Sequence, residues 1–152
     1  MSAVDLVVAR LAGDPAVAAA LPGGVYGRDL KRDGQGATPD AYAPNPPNQP
    51  RPAAVVVDDG EVDALLGPPL SQAGTVSVWF YAPRTQSGRD AIAAAVEASR
   101  RALSGWAWTT ANATPARIEG PGQRLGTRDD PVDGQRLVDR VAFPYAVVWR
   151  LV

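Results

Sequence analysis

TVSVWFYAPRTQSGRDAIAAAVEASRRAL, residues 75–103, decides the fold. Its opening alternates: Val76, Val78 and Phe80 take one face, and Thr75, Ser77, Trp79 and Tyr81 take the other. That period belongs to a strand with one face turned to a core. Ala82-Pro83 ends it. The period then changes. Ile92, Ala95, Val96, Ser99, Ala102 and Leu103 recur at helical spacing, with Arg89, Asp90, Glu97, Arg100 and Arg101 mostly off that stripe. The spacing predicts a helix over 89–104, with Ser87 as N-cap and Gly105 just past its end.

Downstream, Trp106 and Trp108 lead into a polar loop, then a short strand Ala116-Arg117-Ile118-Glu119. Residues 120–135, GPGQRLGTRDDPVDGQ, read as a second loop. Arg136 to Val152 is a long strand. Val141, Phe143, Tyr145, Val147, Trp149 and Leu151 share one face; Arg140, Ala142, Ala146, Val148 and Arg150 share the other. Pro144 in its middle predicts a bulge, a bend or an edge position.

Upstream, Ser2 with Asp5 three residues later resembles a capped helix start. Leu6, Val7, Arg10 and Leu11 continue it; Gly13 interrupts, and Asp14-Pro15 restarts it as N-cap and N1. The expectation is one broken helix or two short ones, 3–12 and 15–21, then a short strand from Val25 to Arg28. Ala53 to Val57 is an uninterrupted apolar run, read as a strand buried on both faces or lying in the sheet centre. Residues 58–74 read as turn and loop with a small apolar knot at Val62, Leu65 and Leu66. The whole is an α+β pattern: a mostly antiparallel sheet of about five strands with two helical segments packed on one face. All 152 residues are read as a single domain.

One segment does not fit a small core. RDLKRDGQGATPDAYAPNPPNQPRP, residues 28–52, has almost no hydrophobic periodicity. Pro39, Pro44, Pro46, Pro47, Pro50 and Pro52 fall in its last 14 residues, a density that no helix or central strand survives. A structureless insert of this length, flanked by core segments, is read as an arm at about 29–52 that reaches towards another chain. Lys31, Arg32, Tyr42 and Arg51 are the arm's candidate contact residues, because arginines and aromatics anchor interfaces. Arg84 and Arg89 at the head of the long helix join them, although a solvated helix face explains such arginines as well.

Composition narrows the chemistry. The chain has no cysteine and no histidine. Thiolate and disulfide chemistry, Ser-His and Cys-His nucleophile systems and the usual zinc sites are therefore excluded. Fourteen arginines against one lysine, Lys31, match the bias of a GC-rich genome. A net charge of −1 gives no global pull on nucleic acid or membrane. MSAVDLVVARLAG shows no secretory signal, and no window approaches a membrane span, so the chain is expected in the cytosol when made. Asp58-Asp59-Gly60-Glu61-Val62-Asp63 and Asp129-Asp130-Pro131-Val132-Asp133 are the densest carboxylate groups. Each could hold a hard cation, but neither has the ligand pattern of an EF-hand, and solvated turns explain both. Gly120-Pro121-Gly122-Gln123-Arg124-Leu125-Gly126 lacks the GK[ST] ending of a phosphate loop and reads as a flexible loop. Trp79, Trp106, Trp108 and Trp149 could stack bases, but few basic residues are interleaved with them, and core or interface packing explains them better. No catalytic residue, metal site or cofactor is expected.

Taken together, the chain resembles the tail-terminator (tail-completion) proteins of long-tailed bacteriophages and phage-like particles. Four places carry the resemblance: DPAVAAALPGGVYGR at 14–28, Pro50-Arg51-Pro52 leading into Ala53-Ala54-Val55-Val56-Val57, Val76-Ser77-Val78-Trp79-Phe80-Tyr81 ahead of the helix at 88–103, and the closing strand Arg140 to Val152. The resemblance implies a homo-oligomeric ring, usually a hexamer, seated on the head-proximal end of the tail tube in the virion. The ring would stop tube growth and offer a docking surface to the head connector. Its partners would be copies of itself, the tail tube protein and the neck, with DNA only in transit through the lumen and no membrane. Such a ring needs head-to-tail interfaces that close by rotation, each burying on the order of 1,000 Å². Two other readings stay open: a head-completion or neck connector adaptor, and a small carboxylate-dependent enzyme or metal-binding domain, whose sign would be a concave site joining residues 58–63 to 129–133.

Overall fold

The computed structural model describes residues 3–27, 42–44, 47–63, 71–109 and 115–148. Among the described residues there are three helices and ten strands. In chain order they are α1 (Ala3–Ala12), α2 (Pro15–Ala20), β1 (Val25–Tyr26), β2 (Tyr42–Pro44), β3 (Pro47–Pro50), β4 (Ala53–Asp63), β5 (Ser71–Pro83), α3 (Gln86–Leu103), β6 (Ala107–Thr109), β7 (Pro115–Ile118), β8 (Gln123–Arg124), β9 (Arg128–Asp129) and β10 (Arg136–Val148). The fold is α+β, with more strands than the sequence suggests. The main sheet runs β1-β4-β5-β10-β7-β6, and β8 and β9 also pair with β10. Every pairing in it is antiparallel except β1 with β4.

β5 and β10 form the spine. Their ladder is unbroken from Arg136 opposite Pro83 to Val148 opposite Ser71. Alternation puts Val76, Val78, Phe80 and Ala82 of β5 on the same face as Leu137, Val141, Phe143 and Tyr145 of β10. Ala54 and Val56 of β4 continue that face. Against it pack Val7 and Leu11 of α1, Val17 of α2, and Ile92, Ala95, Val96, Ala102 and Leu103 of α3, all in one buried cluster. The helices therefore lie on one side of the sheet, as the apolar stripes require.

α1 and α2 have the predicted breaks. Asp14 caps α2, its carboxylate accepting from the Ala16 and Val17 amides, with Pro15 in the first turn. Ser2 lies outside the described residues. The cap of α3 differs from expectation. Thr85, not Ser87, is the N-cap; its hydroxyl accepts from the Gly88 amide at 3.0 Å. The helix thus starts at Gln86, nearer the strand than periodicity indicates, because Thr85 also donates its amide to the Pro83 carbonyl. Gly105, at φ 70°, follows the C-cap Ser104 in the left-handed conformation that glycine adopts without strain. Thr85→Ala should cost about 1 kcal/mol and Ser87→Ala only a few tenths of that; paired urea melts check the contrast.

Three loop expectations are corrected. Residues 58–63 and 71–74 are not loop: β4 continues to Asp63 and β5 begins at Ser71, with a bulge between Asp58 and Glu61. Asp and Gly have low strand propensity, but β10 pairs with β5 as far as Ser71, and that ladder carries the hairpin outward. Trp106 and Trp108 do not simply enter a loop: Ala107–Thr109 is β6, paired with β7. Within 120–135, Gln123–Arg124 and Arg128–Asp129 pair with β10 as β8 and β9.

Pro144 lies in the sheet interior with no bulge in the β5 register. Its carbonyl accepts from the Glu119 amide, so the side of the strand that lacks a donor faces the β7/β8 side. There β10 changes neighbours, from β8 at Val141–Ala142 to β7 at Tyr145–Val147, so the missing N–H forgoes only the return bond to Glu119. In the arm, Tyr42–Pro44 and Pro47–Pro50 form a small antiparallel ladder of their own, off the main sheet, with β3 passing close to β5. The expectation of a structureless segment is overturned there. A proline is tolerated in such a ladder when its missing N–H faces outward.

Candidate assembly interface

Nothing in the sequence marks a catalytic constellation, so the candidate site is a surface. The sheet face opposite the helices is built from the other alternation of β5 and β10: Thr75, Ser77, Trp79 and Tyr81 beside Arg136, Val138, Arg140, Ala142 and Pro144. It is a polar network, not a solvated row. Arg140 donates from Nε to Ser77 Oγ at 2.9 Å and from Nη2 to Asp59 Oδ2 at 3.0 Å. Its guanidinium lies 5.4 Å from the Trp79 ring centre. Ser77 in turn donates to Asp59. Four residues earlier on β10, the Arg136 guanidinium sits 4.3 Å from the Tyr81 ring centre and donates to Asp130. Each arginine is therefore stacked on an aromatic ring and neutralised by a carboxylate, an arrangement suited to the planar guanidinium.

A third carboxylate, Asp139, is buried by alternation on the apolar side of β10 and is fully used. It accepts from Arg124 Nε at 2.6 Å, from the Gly126 amide at 3.0 Å and from Thr127 Oγ1 at 3.1 Å. This is why the Gly-rich segment, expected to be flexible, is held against β10.

The acidic groups singled out in the sequence are thus placed differently from the enzyme or metal reading. Asp59 goes to Arg140, Asp130 to Arg136, and Asp129 pairs with Arg84 at 3.1 Å. Arg136 and Arg140 are four positions apart on one strand, about 13 Å, and separate the first two acids. Among the described residues no group of three or more Asp, Glu, His or Cys side chains could hold a metal ion. A cavity of about 290 Å³ lies instead beside Pro144, lined by Thr75, Glu119, Pro121, Gly122, Gln123 and Ala142. Asp130→Ala should destabilise the chain by about 2–4 kcal/mol, since it leaves the largely buried Arg136 without its carboxylate. Asp129→Asn, in an exposed pair, should stay within about 1 kcal/mol; thermal melts of the two variants settle the difference.

The candidate contact residues are scattered. Arg84 and Arg89 are both exposed, at the turn into α3 and on its first turn. Arg51 is half-buried between β3 and β4. Tyr42 lies in β2, its side chain outside the described residues, as are Lys31, Arg32 and Trp149. The Arg136/Arg140 network was missed by sequence reasoning. Its only signal is two arginines four apart on the non-core face of a strand, with no indication of which acids would reach them.

Two solved structures share this fold over nearly its whole length. One is a chain from the virion of a native gene transfer agent particle, with a TM-score of 0.59 and 18% identity, covering 97% of this chain and 99% of that one. The other matches with a TM-score of 0.59 and 12% identity over 97% of each chain. At such identities the likeness is one of fold. No family model matches the sequence, and no curated protein matches it. Among the described residues no helix is long and apolar enough to cross a membrane.

Proposed function

We propose that this chain is a non-catalytic structural protein of a phage or phage-like particle, acting as the terminator of its tail. The observation that carries the reading is the end-to-end fold likeness to a chain of a gene transfer agent virion. The sequence resemblance to tail terminators supplies the finer role. The chain would form a ring, of six copies by that resemblance, on the head-proximal end of the tail tube, stop its polymerisation and receive the neck. Neutralised arginines on the open sheet face support a protein-contacting surface over a nucleic-acid one, since a DNA-binding face keeps its cations free for phosphate. Lys31, Arg32, Tyr42 and Arg51 of the arm, with Arg84 and Arg89, are the proposed contacts to neighbouring subunits or to the tube.

The test is assembly. Native mass measurement should find a closed oligomer, alone or on tail tubes, and adding the chain to polymerising tube protein should give capped tubes of limited length in electron micrographs. A chain that stays monomeric and leaves tube growth unchanged overturns the reading. Capping of the head connector without any effect on tubes would favour the neck-adaptor reading instead.

A further inference from the structure

We infer that successive copies of this chain join edge to edge, the outer edge of β6 in one copy pairing with the outer edge of the β4 tip, Glu61–Asp63, in the next. The inference rests on the ring reading above and names its interface.

β6 is the last strand of the main sheet. The Ile118 amide donates to the Trp106 carbonyl, and Trp108 pairs with Ala116, so the inward bonds belong to 106 and 108. Alternation in an antiparallel ladder then turns the N–H and C=O of Ala107 and Thr109 outward. Among the described residues no strand takes them. The edge also lacks the usual protection against pairing: Ala-Trp-Thr has no charge, no proline and no bulge. It is held rigid from within. Trp106 stacks on Trp108 at 5.1 Å, Trp108 packs on Tyr145, and the Arg10 guanidinium lies 5.6 Å from the Trp106 ring centre.

The partner edge is the far half of β4. β1 covers β4 only at Ala54 and Val55, and the three residues Glu61–Asp63 continue the ladder with β5 beyond the bulge. They match the three residues of β6 in length. They also match in charge. Glu61 and Asp63 are acidic and share one face by alternation; with Val62 opposite Ala107 that face joins the Trp106–Trp108 face of β6, where Arg10 lies. Arg10 has no ion-pair partner among the described residues. Because the two edges are different surfaces, the contact is head-to-tail, the kind that closes a ring by rotation.

The chain has no cysteine, so introduced thiols report cleanly. Full-length protein carrying Ala107→Cys and Val62→Cys together should, under mild oxidation, give a ladder of covalent oligomers ending at the native ring mass. Either single variant should stay uncrosslinked. Thr109→Pro removes an outward N–H that β7 does not use, so it should keep the parent melting midpoint while shifting the native mass from ring to monomer. Rings in the parent with no crosslink in the double variant overturn the interface and leave the ring reading standing. Dimers from Ala107→Cys alone overturn it in favour of a symmetric β6–β6 contact. A parent chain that is monomeric under every condition overturns both.

Discussion

Phe143→Ala should lower stability by about 3–5 kcal/mol, the range for emptying a buried phenylalanine site. Phe143 is fully buried in the middle of β10, opposite Val76 on the central strand pair, inside the cluster that receives all three helices. The backbone around it cannot collapse easily. β10 is paired with β5 there and with β8 at the two residues before it, and Gly122 sits so close that an added Cβ would meet the Phe143 ring at 2.7 Å. At the size of this chain each kcal/mol moves the melting midpoint by about 2–4 °C, so the shift should reach about 10 °C. Differential scanning calorimetry reads it directly. An unchanged midpoint means that the two faces of β10 have been assigned the wrong way round.

Gly88→Ala should also destabilise, by about 1–3 kcal/mol or more. Helix propensity alone predicts the opposite sign, because alanine is favoured over glycine by about 1 kcal/mol in a helix. What reverses it is the close approach of α3 to the end of β5. A Cβ at position 88 would lie 1.9 Å from the Pro83 carbonyl oxygen and 3.0 Å from its carbon. Both are backbone atoms, and the same carbonyl accepts from the Thr85 amide at 2.8 Å, so neither can move without unseating the helix start. Denaturant melts of Gly88→Ala beside Ala93→Gly, an exposed site on the same helix, separate packing from propensity. A stabilised Gly88→Ala variant would falsify the close approach.

The same contrast marks where the sequence is legible. The two faces of β5, the stripe of α3, the paired N-terminal helices and the apolar face of β10 follow from residue period, because burial of one face is a local and repeating demand. The expectation that helices pack on one side of an antiparallel sheet follows from those faces in turn. The elements misread are those whose structure is imposed from elsewhere. Asp58–Asp63 becomes strand because β10 extends the partner of its partner. Gln123–Arg124 and Arg128–Asp129 pair with β10, and Asp139, fifteen residues on from Arg124, ties their loop down.

The candidate surface divides in the same way. That the chain would work without histidine, cysteine or a thiolate is written in its composition. Which arginine meets which acid is not. Arg140 finds Asp59 across 81 positions, and Arg136 finds Asp130 across six. Sequence by itself determined the periods, hence the faces, hence the layers, because each depends on neighbours one turn or one pleat away. Only the tertiary structure decided the strand order, the exposed edges and the partners of the charges. Those depend on register between distant segments, and a one-residue slip would send every side chain to the other face.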